Sequence, residues 1–434
     1  MTNSVHYIGK QGVIMIKEVV LRQKKEMETL LARPYVPRSS TRLAERFAGE
    51  ELIKVVTGPR RAGKSIFSLH FLKNSAPAYA NFDDERLIKL KDYDELLKEL
   101  HACYGGKKQL LLDEIQNLPG WELFVNRLQR QGYNITLTGS NSRLLSGELA
   151  TSLTGRHVPI EILPFSFREV LAAEKEEPAK DLSPETKGRM LGLLEQYLVN
   201  GGFPEVVVKK LEPKGYLDTL MDSLILRDIV KRYSVRLSGK IYDLHGYLLN
   251  NFAAECSFRK LAVRLGFKSV TTLEKYVGYL EEAYLIYVLQ RYSHKAAERL
   301  GTSKKIYLID NGYVAAAGAQ FSPDRGRLME NLVFGELLKA KREPNKDLFY
   351  YKTRNGREVD FITRKGRVVD SLIQAAYSLE APGTKEREVK ALVEAGDELR
   401  CGNLVVITWD HEEIVKTRGK EINFIPLWKW LLSV

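Results

Sequence analysis

Apolar positions along this 434-residue chain follow two rhythms. Short apolar runs, "LIKVV" at 52–56, "QLLL" at 109–112 and "YNITLTG" at 133–139, predict buried strands. Between them lie patterns spaced at three and four residues, such as "SIFSLHFLK" at 65–73, which predict helices. The alternation predicts an α/β domain over 41–170, preceded by an N-terminal extension and helix over 1–40. Met15 stands just before the helical pattern, so the first 14 residues read as an extension.

From 171 to 238 the helical rhythm dominates, in "RMLGLLEQYLVNGG" and "YLDTLMDSLILRDIVKRYSVR". The pair Gly201-Gly202 stops the first helix and Pro204 follows, so this stretch reads as a helical lid or connector. Over 239–296 the order changes. A helix, "KIYDLHGYLLNNFAAEC", precedes a shorter one, "SFRKLAVRLGF", begun by Ser257 and ended at Gly266. A third runs from Ser269 and passes into the strand-like "LIYVLQRY". Helix, helix, helix and ribbon predict a winged helix-turn-helix. Its third helix would present Lys268, Ser269, Thr271, Thr272 and Lys275 to a major groove. Arg259, Lys260, Arg264 and Arg291 would meet phosphates. A protein–protein module has the same pattern. Residues 297–434 return to strands and helices: "KKIYLID", "GRLMENLVFGELLKAKR", "DLFYYKT", "EVDFITRKG", "RVVDSLIQAAY", "TKEREVKALVEAG" and a final strand, "GNLVVITWD".

Charge adds a partner class. Lys and Arg number 67 against 55 acids, a formal net charge of +12, which favours a polyanionic partner. No apolar run reaches the roughly 18 residues a membrane helix needs. Cys103, Cys256 and Cys401 share no metal or redox spacing, which fits a reducing, cytoplasmic setting. The seven histidines form no HxH or HxxxH pair, so no zinc site is indicated.

The densest chemistry lies at 58–66, Gly58-Pro59-Arg60-Arg61-Ala62-Gly63-Lys64-Ser65-Ile66, between a strand and a helix. This is GxxxxGK[ST] in the context it requires. Glycines let the backbone N–H groups turn toward phosphate oxygens, and the following helix adds its N-terminal partial charge. Lys64 can reach the β- and γ-phosphates, and the Ser65 hydroxyl can ligate Mg²⁺. "LLLDEIQ" ends a buried strand in two acids: Asp113 is assigned to the metal and Glu114 to the attacking water. After the next strand, Ser140 and Asn141 are candidate γ-phosphate sensors, and plain turn chemistry accounts for them equally. Arg156 and its rival Arg143 are candidate arginine fingers for a neighbouring subunit.

The motifs "TGPRRAGKS", "NFDDERL", "LLLDEIQNL", "TGSNSRLLSGELATSLTGR", "LPFSFREVL", "YLVNGGFPEVV" and "LWKWLL" occur in that order. The chain over 15–434 resembles the archaeal and bacterial AAA+ (P-loop) ATPases whose C-terminal part is a domain of unknown function. The resemblance implies ATP hydrolysis by Lys64, Ser65, Asp113 and Glu114, and favours Arg156 as the finger. The C-terminal element order resembles the restriction-endonuclease-like fold. There a helix glutamate, a strand aspartate and a carboxylate-x-lysine hold Mg²⁺ and activate water. Glu330 and Asp360 match the first two, with Glu336 an alternative for the first. Gln374 and Ala376 stand at the carboxylate and lysine positions, so the site reads as degenerate.

These readings combine into an α/β expectation: P-loop AAA+ domain, helical connector, winged helix and nuclease-like domain. The expected function is Mg²⁺-dependent ATP hydrolysis in a homo-oligomer, coupled to double-stranded or branched DNA. An ATP-driven switch in signalling or defence, acting through protein partners, is the alternative. An ATP-gated nuclease is a third.

Overall fold

The computed structural model describes residues 3–140, 153, 155–176, 183–293, 295, 302–317 and 324–433, with backbone alone for 3–15. Asn141 and Arg143 lie outside the described residues. The chain divides into two compact units, Met1–Leu163 and Pro164–Val434.

The first unit is built on five strands. These are β1 (Ile53–Thr57), β2 (Ala78–Asn81), β3 (Gln109–Asp113), β4 (Asn134–Thr138) and β5 (His157–Glu161). All pairings are parallel, in the order β2-β3-β4-β1-β5. Every residue of β1 is buried, Lys54 included, whose Nζ donates to Asn134 Oδ1 at 3.0 Å. Its side chains alternate between two cores: Val55 packs with Leu111 and Leu137, Val56 with Phe67 and Ile160. The order places β1 between β4 and β5 instead of beside β2. Loops leaving the strand ends therefore diverge there and open a crevice, the place where α/β sheets bind ligands. The N-terminal helix spans Asn3–Leu31, so it begins before Met15. Its Val19 and Val20 are fully buried in the same core as Leu111, making it part of this unit.

The second unit opens with helices Phe167–Ala173, Pro184–Asn200, Pro204–Lys209 and Pro213–Ser223. The double glycine of "YLVNGGFPEVV" has a steric cause. Gly201 sits at φ 74°, and a Cβ there would lie 1.6 Å from Asp310 Oδ1. Asp310 accepts the backbone N–H groups of Gly202 and Gly312, both at 2.8 Å. Burial pushes its carboxyl up to about 6.

Next comes a helical module with a small sheet. Helix Ser238–Asn250, β6 (Ala254–Cys256), helices Phe258–Arg264 and Val270–Glu282, β7 (Ile286–Gln290) and β8 (Lys304–Leu308) follow in turn. The sheet is antiparallel in the order β6-β8-β7. "KKIYLID" therefore joins this sheet and does not open the last domain as its sequence position suggested: its backbone groups are spent on β6 and β7.

The last sheet has six strands, in the order β13-β14-β12-β11-β10-β9. They are β9 (Leu348–Lys352), β10 (Glu358–Lys365), β11 (Val368–Ala376), β12 (Leu404–Thr408), β13 (Glu413–Thr417) and β14 (Lys420–Pro426). The chain does not end its sheet at "GNLVVITWD". A hairpin of β13 and β14 turns at Arg418-Gly419, and β14 pairs parallel to β12. Helix Arg325–Lys339 packs on β8 and β11. No helix among the described residues is long and apolar enough to cross a membrane.

Candidate nucleotide site

The crevice at the C-terminal ends of β1, β3 and β4 gathers the chemistry foreseen for it. The loop 58–63 leaves β1, and helix Lys64–Leu72 starts directly after it. Gly63 takes φ 92° and Arg61 φ 66°. Gly58, at φ 137°, is required for a further reason: a Cβ would lie 2.0 Å from the Ile162 carbonyl oxygen. Pro59, Ala62 and Lys64 are buried, Arg60, Gly63, Ser65 and Ile66 half-buried, and Arg61 exposed. Lys64 Nζ donates to the carbonyls of Gly58 and Pro59 at 3.0 and 2.9 Å. The ammonium thus spans the concavity of its own loop, where a phosphate oxygen could take over those bonds.

Asp113 ends β3 beside this loop. Its Oδ1 accepts from Ser65 Oγ at 2.9 Å and from Thr138 Oγ1, and its Oδ2 accepts from Tyr79 OH at 3.0 Å. Burial raises its pKa, the Glu114 charge adds to this, and the three hydroxyls oppose it. A buried carboxylate held against the loop serine is a pair that could hold a Mg²⁺ ion together with a bound nucleotide. Among the described residues no group of three or more His, Cys, Asp or Glu forms a metal cage. This site does not call for one.

Glu114 stands in the left-handed region, at φ 52°, ψ 44°. Its backbone N–H donates to Thr138 Oγ1 at 3.0 Å, and its Oε2 accepts from Gln116 Nε2 and from Ser140 Oγ at 3.3 Å. Ser140 is therefore brought to the site. Arg156 is not. Ile53 N donates to its carbonyl, so it lies at the opposite end of β1 from the phosphate loop, about 16 Å away at ~3.3 Å per residue. The exposed Arg156 guanidinium donates to Gln129 Oε1 at 3.3 Å.

Three residues were missed by sequence reasoning. Tyr79 and Thr138 reach Asp113 from neighbouring strands. Arg38, buried, donates to the carbonyls of Ala62, at 2.9 Å, and Leu163, supporting the phosphate loop from behind. Position Tyr79, on an apolar strand two residues before "NFDDERL", offered a weak signal, a buried tyrosine needing a polar partner.

In the second unit, Glu330, Asp360 and Gln374 also come together. The oxygen of Gln374 is spent on the backbone N–H of Asp360, at 2.6 Å, and its amide donates to Glu388. Glu336 goes elsewhere: it accepts from Tyr197 OH at 2.5 Å and Lys339 Nζ at 3.0 Å. Ala376 is buried, and the ammonium absent from its position arrives from another strand, as Lys305 of β8. Of the expected DNA contacts, Arg259, Lys260, Arg264, Lys268, Ser269, Thr271 and Lys275 are exposed. Thr272 is half-buried, its hydroxyl 2.9 Å from that of Ser269, and Arg291 is committed to the Lys352 carbonyl at 2.8 Å.

Comparison with known proteins extends this picture. An AAA domain model matches residues 50–171, and two domains of unknown function, DUF8612 and DUF4143, match 191–324 and 325–430. An uncharacterized protein of Methanocaldococcus jannaschii is 38% identical over 398 residues, covering 88% of each chain. One of Haemophilus influenzae is 30% identical over 402 residues, covering 88% of this chain and 95% of that protein. Among solved structures, a Walker-type ATPase of Pyrococcus abyssi is 18% identical. The match covers 66% of this chain and 99% of that one, at a TM-score of 0.42. The chain belongs to the family that these archaeal and bacterial proteins represent, and its residues 50–171 match an AAA domain of the AAA+ ATPase kind.

Proposed function

We propose that this chain binds ATP with Mg²⁺, hydrolyses it as a homo-oligomer, and couples turnover to duplex or branched DNA. The observation that carries the first half is the 2.9 Å contact of Ser65 Oγ with Asp113 Oδ1, beside the Lys64 ammonium and the Glu114 carboxylate. Loop N–H groups and Lys64 would bind the β- and γ-phosphates, Ser65 and Asp113 would hold the metal, and Glu114 would orient the attacking water. Mg²⁺ held there would supply charge neutralisation at the phosphates.

The DNA half rests on the module of Ser238–Leu308. Its order, helix, strand, helix, helix and two further strands, with sheet order β6-β8-β7, supports reading it as a winged helix. Ser269 caps the helix Val270–Glu282 through the Thr272 N–H at 3.1 Å. The buried Leu273, Val277 and Leu280 hold one face of that helix in the core. This leaves Lys268, Thr271 and Lys275 outward, with Arg259, Lys260 and Arg264 on the preceding helix, an arrangement suited to phosphates and base edges.

The test is ATP turnover with and without duplex DNA, with Lys64→Ala as the blank. Stimulation by DNA supports coupling. Turnover that is unchanged in Lys64→Ala overturns the ATPase reading, and turnover indifferent to DNA overturns the DNA half. A second reading, a slow ATP-driven switch acting through protein partners, is favoured by one observation: Gln116 and Ser140 both donate to Glu114 Oε2, which lowers the basicity the carboxylate can offer a water and so favours slow turnover.

A further inference from the structure

Lys305 is a lysine in an unusual place. It lies on β8 and is 1% exposed. Its Nζ stands 2.7 Å from Glu330 Oε1, 2.6 Å from Glu358 Oε1 and 3.1 Å from Asp360 Oδ1. The ammonium donates to Glu330 and Asp360 and forms an ion pair with Glu358. The carboxylates are tied down in turn. Glu330 also accepts from Tyr307 OH at 2.7 Å, and Asp360 Oδ2 from the Ala375 N–H at 3.0 Å. An open pocket of about 680 Å³ lies in front of the cluster, lined by Glu330, Glu358, Asp360, Gln374, Arg357 and Arg387 among others. Metal ions in solution therefore have access to these carboxylates.

We propose that Lys305 is a built-in cation that holds the centre of this carboxylate cluster and closes it to divalent metal. Replacing Lys305 by a neutral side chain would open a divalent-cation site on Glu330, Glu358 and Asp360. A divalent ion would need oxygens of the same three groups at ~2.0–2.6 Å, and would have to approach a fixed positive charge. Gln374 cannot help, because its oxygen already accepts from the backbone. Burial pulls the Lys305 pKa down, but Glu330, Asp360 and Glu358 overcome it and hold the group well above its ordinary value. Three carboxylates within 3.1 Å favour the charged form of the ammonium. Burial pushes Glu330 up to about 7, and the Asp360 charge adds to it, as expected where three acids share one cation. Lys305 is also a fastener: its backbone pairs with Leu289 and Glu255 in the small sheet, and its side chain reaches a helix and β10 of the α/β domain.

The experiment is Mn²⁺ titration of the full-length chain without nucleotide, read by calorimetry and by the thermal midpoint against EDTA. Wild type, Asp360→Asn, Lys305→Met and Lys305→Met/Asp360→Asn are compared. Lys305→Met should bind one Mn²⁺ at least about tenfold tighter than wild type and gain thermal midpoint from it. The double variant should lose that gain. An Asp360-dependent Mn²⁺ site in wild type overturns the proposal, as does a folded Lys305→Met with no tighter binding. Should Lys305→Met fail to fold, Lys305→Arg keeps the charge and decides the case. Exclusion of Mn²⁺ at Asp360 by this variant, as by wild type, supports the proposal, and binding there overturns it.

Discussion

Asp113 meets three hydroxyls, and only one of them was visible in the chain. Ser65 belongs to a contiguous motif whose spacing is set by the phosphates it wraps, so it could be read locally. Tyr79 and Thr138 arrive from β2 and β4, and their approach depends on the strand order, which no local pattern encodes. The same holds for Lys305, whose burial among apolar neighbours in "KKIYLID" runs against the usual expectation for lysine. Glu114 shows how residue chemistry becomes a prediction. Its Oε2 accepts from Gln116 and Ser140, neither of them in the loop 58–63, so removing its charge should leave nucleotide binding intact. Glu114→Gln is expected to bind ATP with an affinity near wild type and to lose turnover by ~10²–10⁴-fold. Parallel binding and hydrolysis assays check this; loss of binding in step with turnover would show that Glu114 serves the loop and not the water.

Helices and strands were legible wherever a local rhythm was strong. What escaped were pairings. β8 was placed with the wrong sheet, because a strand's pattern reports burial and not its neighbours. β13 was unseen because its exposed and half-buried residues alternate weakly, and β14 went with it. Buried polar groups set into regular elements were equally hidden, and one carries a pH dependence. His245 lies on helix Ser238–Asn250 among buried leucines, and its Nε2 has no hydrogen-bond partner among the described residues. Burial pulls its pKa down to about 4. Unfolded, it titrates near 6.5, so between pH 6.5 and 4 the unfolded chain binds a proton the folded chain refuses. Stability from this group is present above pH 6.5 and is lost as pH falls through 4, by about 3 kcal/mol in full. Asp310 and Glu330, whose pKa values are raised, oppose it over part of that window. The difference between wild type and His245→Phe isolates the histidine. Denaturant midpoints measured from pH 7 to 4 should fall more steeply in wild type, and parallel curves would mean that His245 is solvated.

At the scale of the whole molecule, the open question is whether one chain makes a complete catalytic site. The loop 58–63, Asp113 and Glu114 all lie at one end of the parallel sheet. Arg156 is at the other end, one residue before β5, and the Ile53–Arg156 backbone bond fixes it there. With ~16 Å of strand between them, Arg156 cannot stabilise charge on a phosphate held by its own chain. If it acts as a finger, it must do so on a neighbour's nucleotide. Arg156→Ala should then lose turnover by ~10³-fold or more while keeping ATP binding, and Lys64→Ala should lose both. Mixing the two inactive variants should restore activity, because some interfaces then pair an intact Lys64 with an intact Arg156. Wild-type turnover per chain should also rise with protein concentration until assembly is complete. A mixture as inactive as its components, with wild-type turnover independent of concentration, would return Arg156 to the role of a surface residue bonded to Gln129 and leave the ATPase without a shared site.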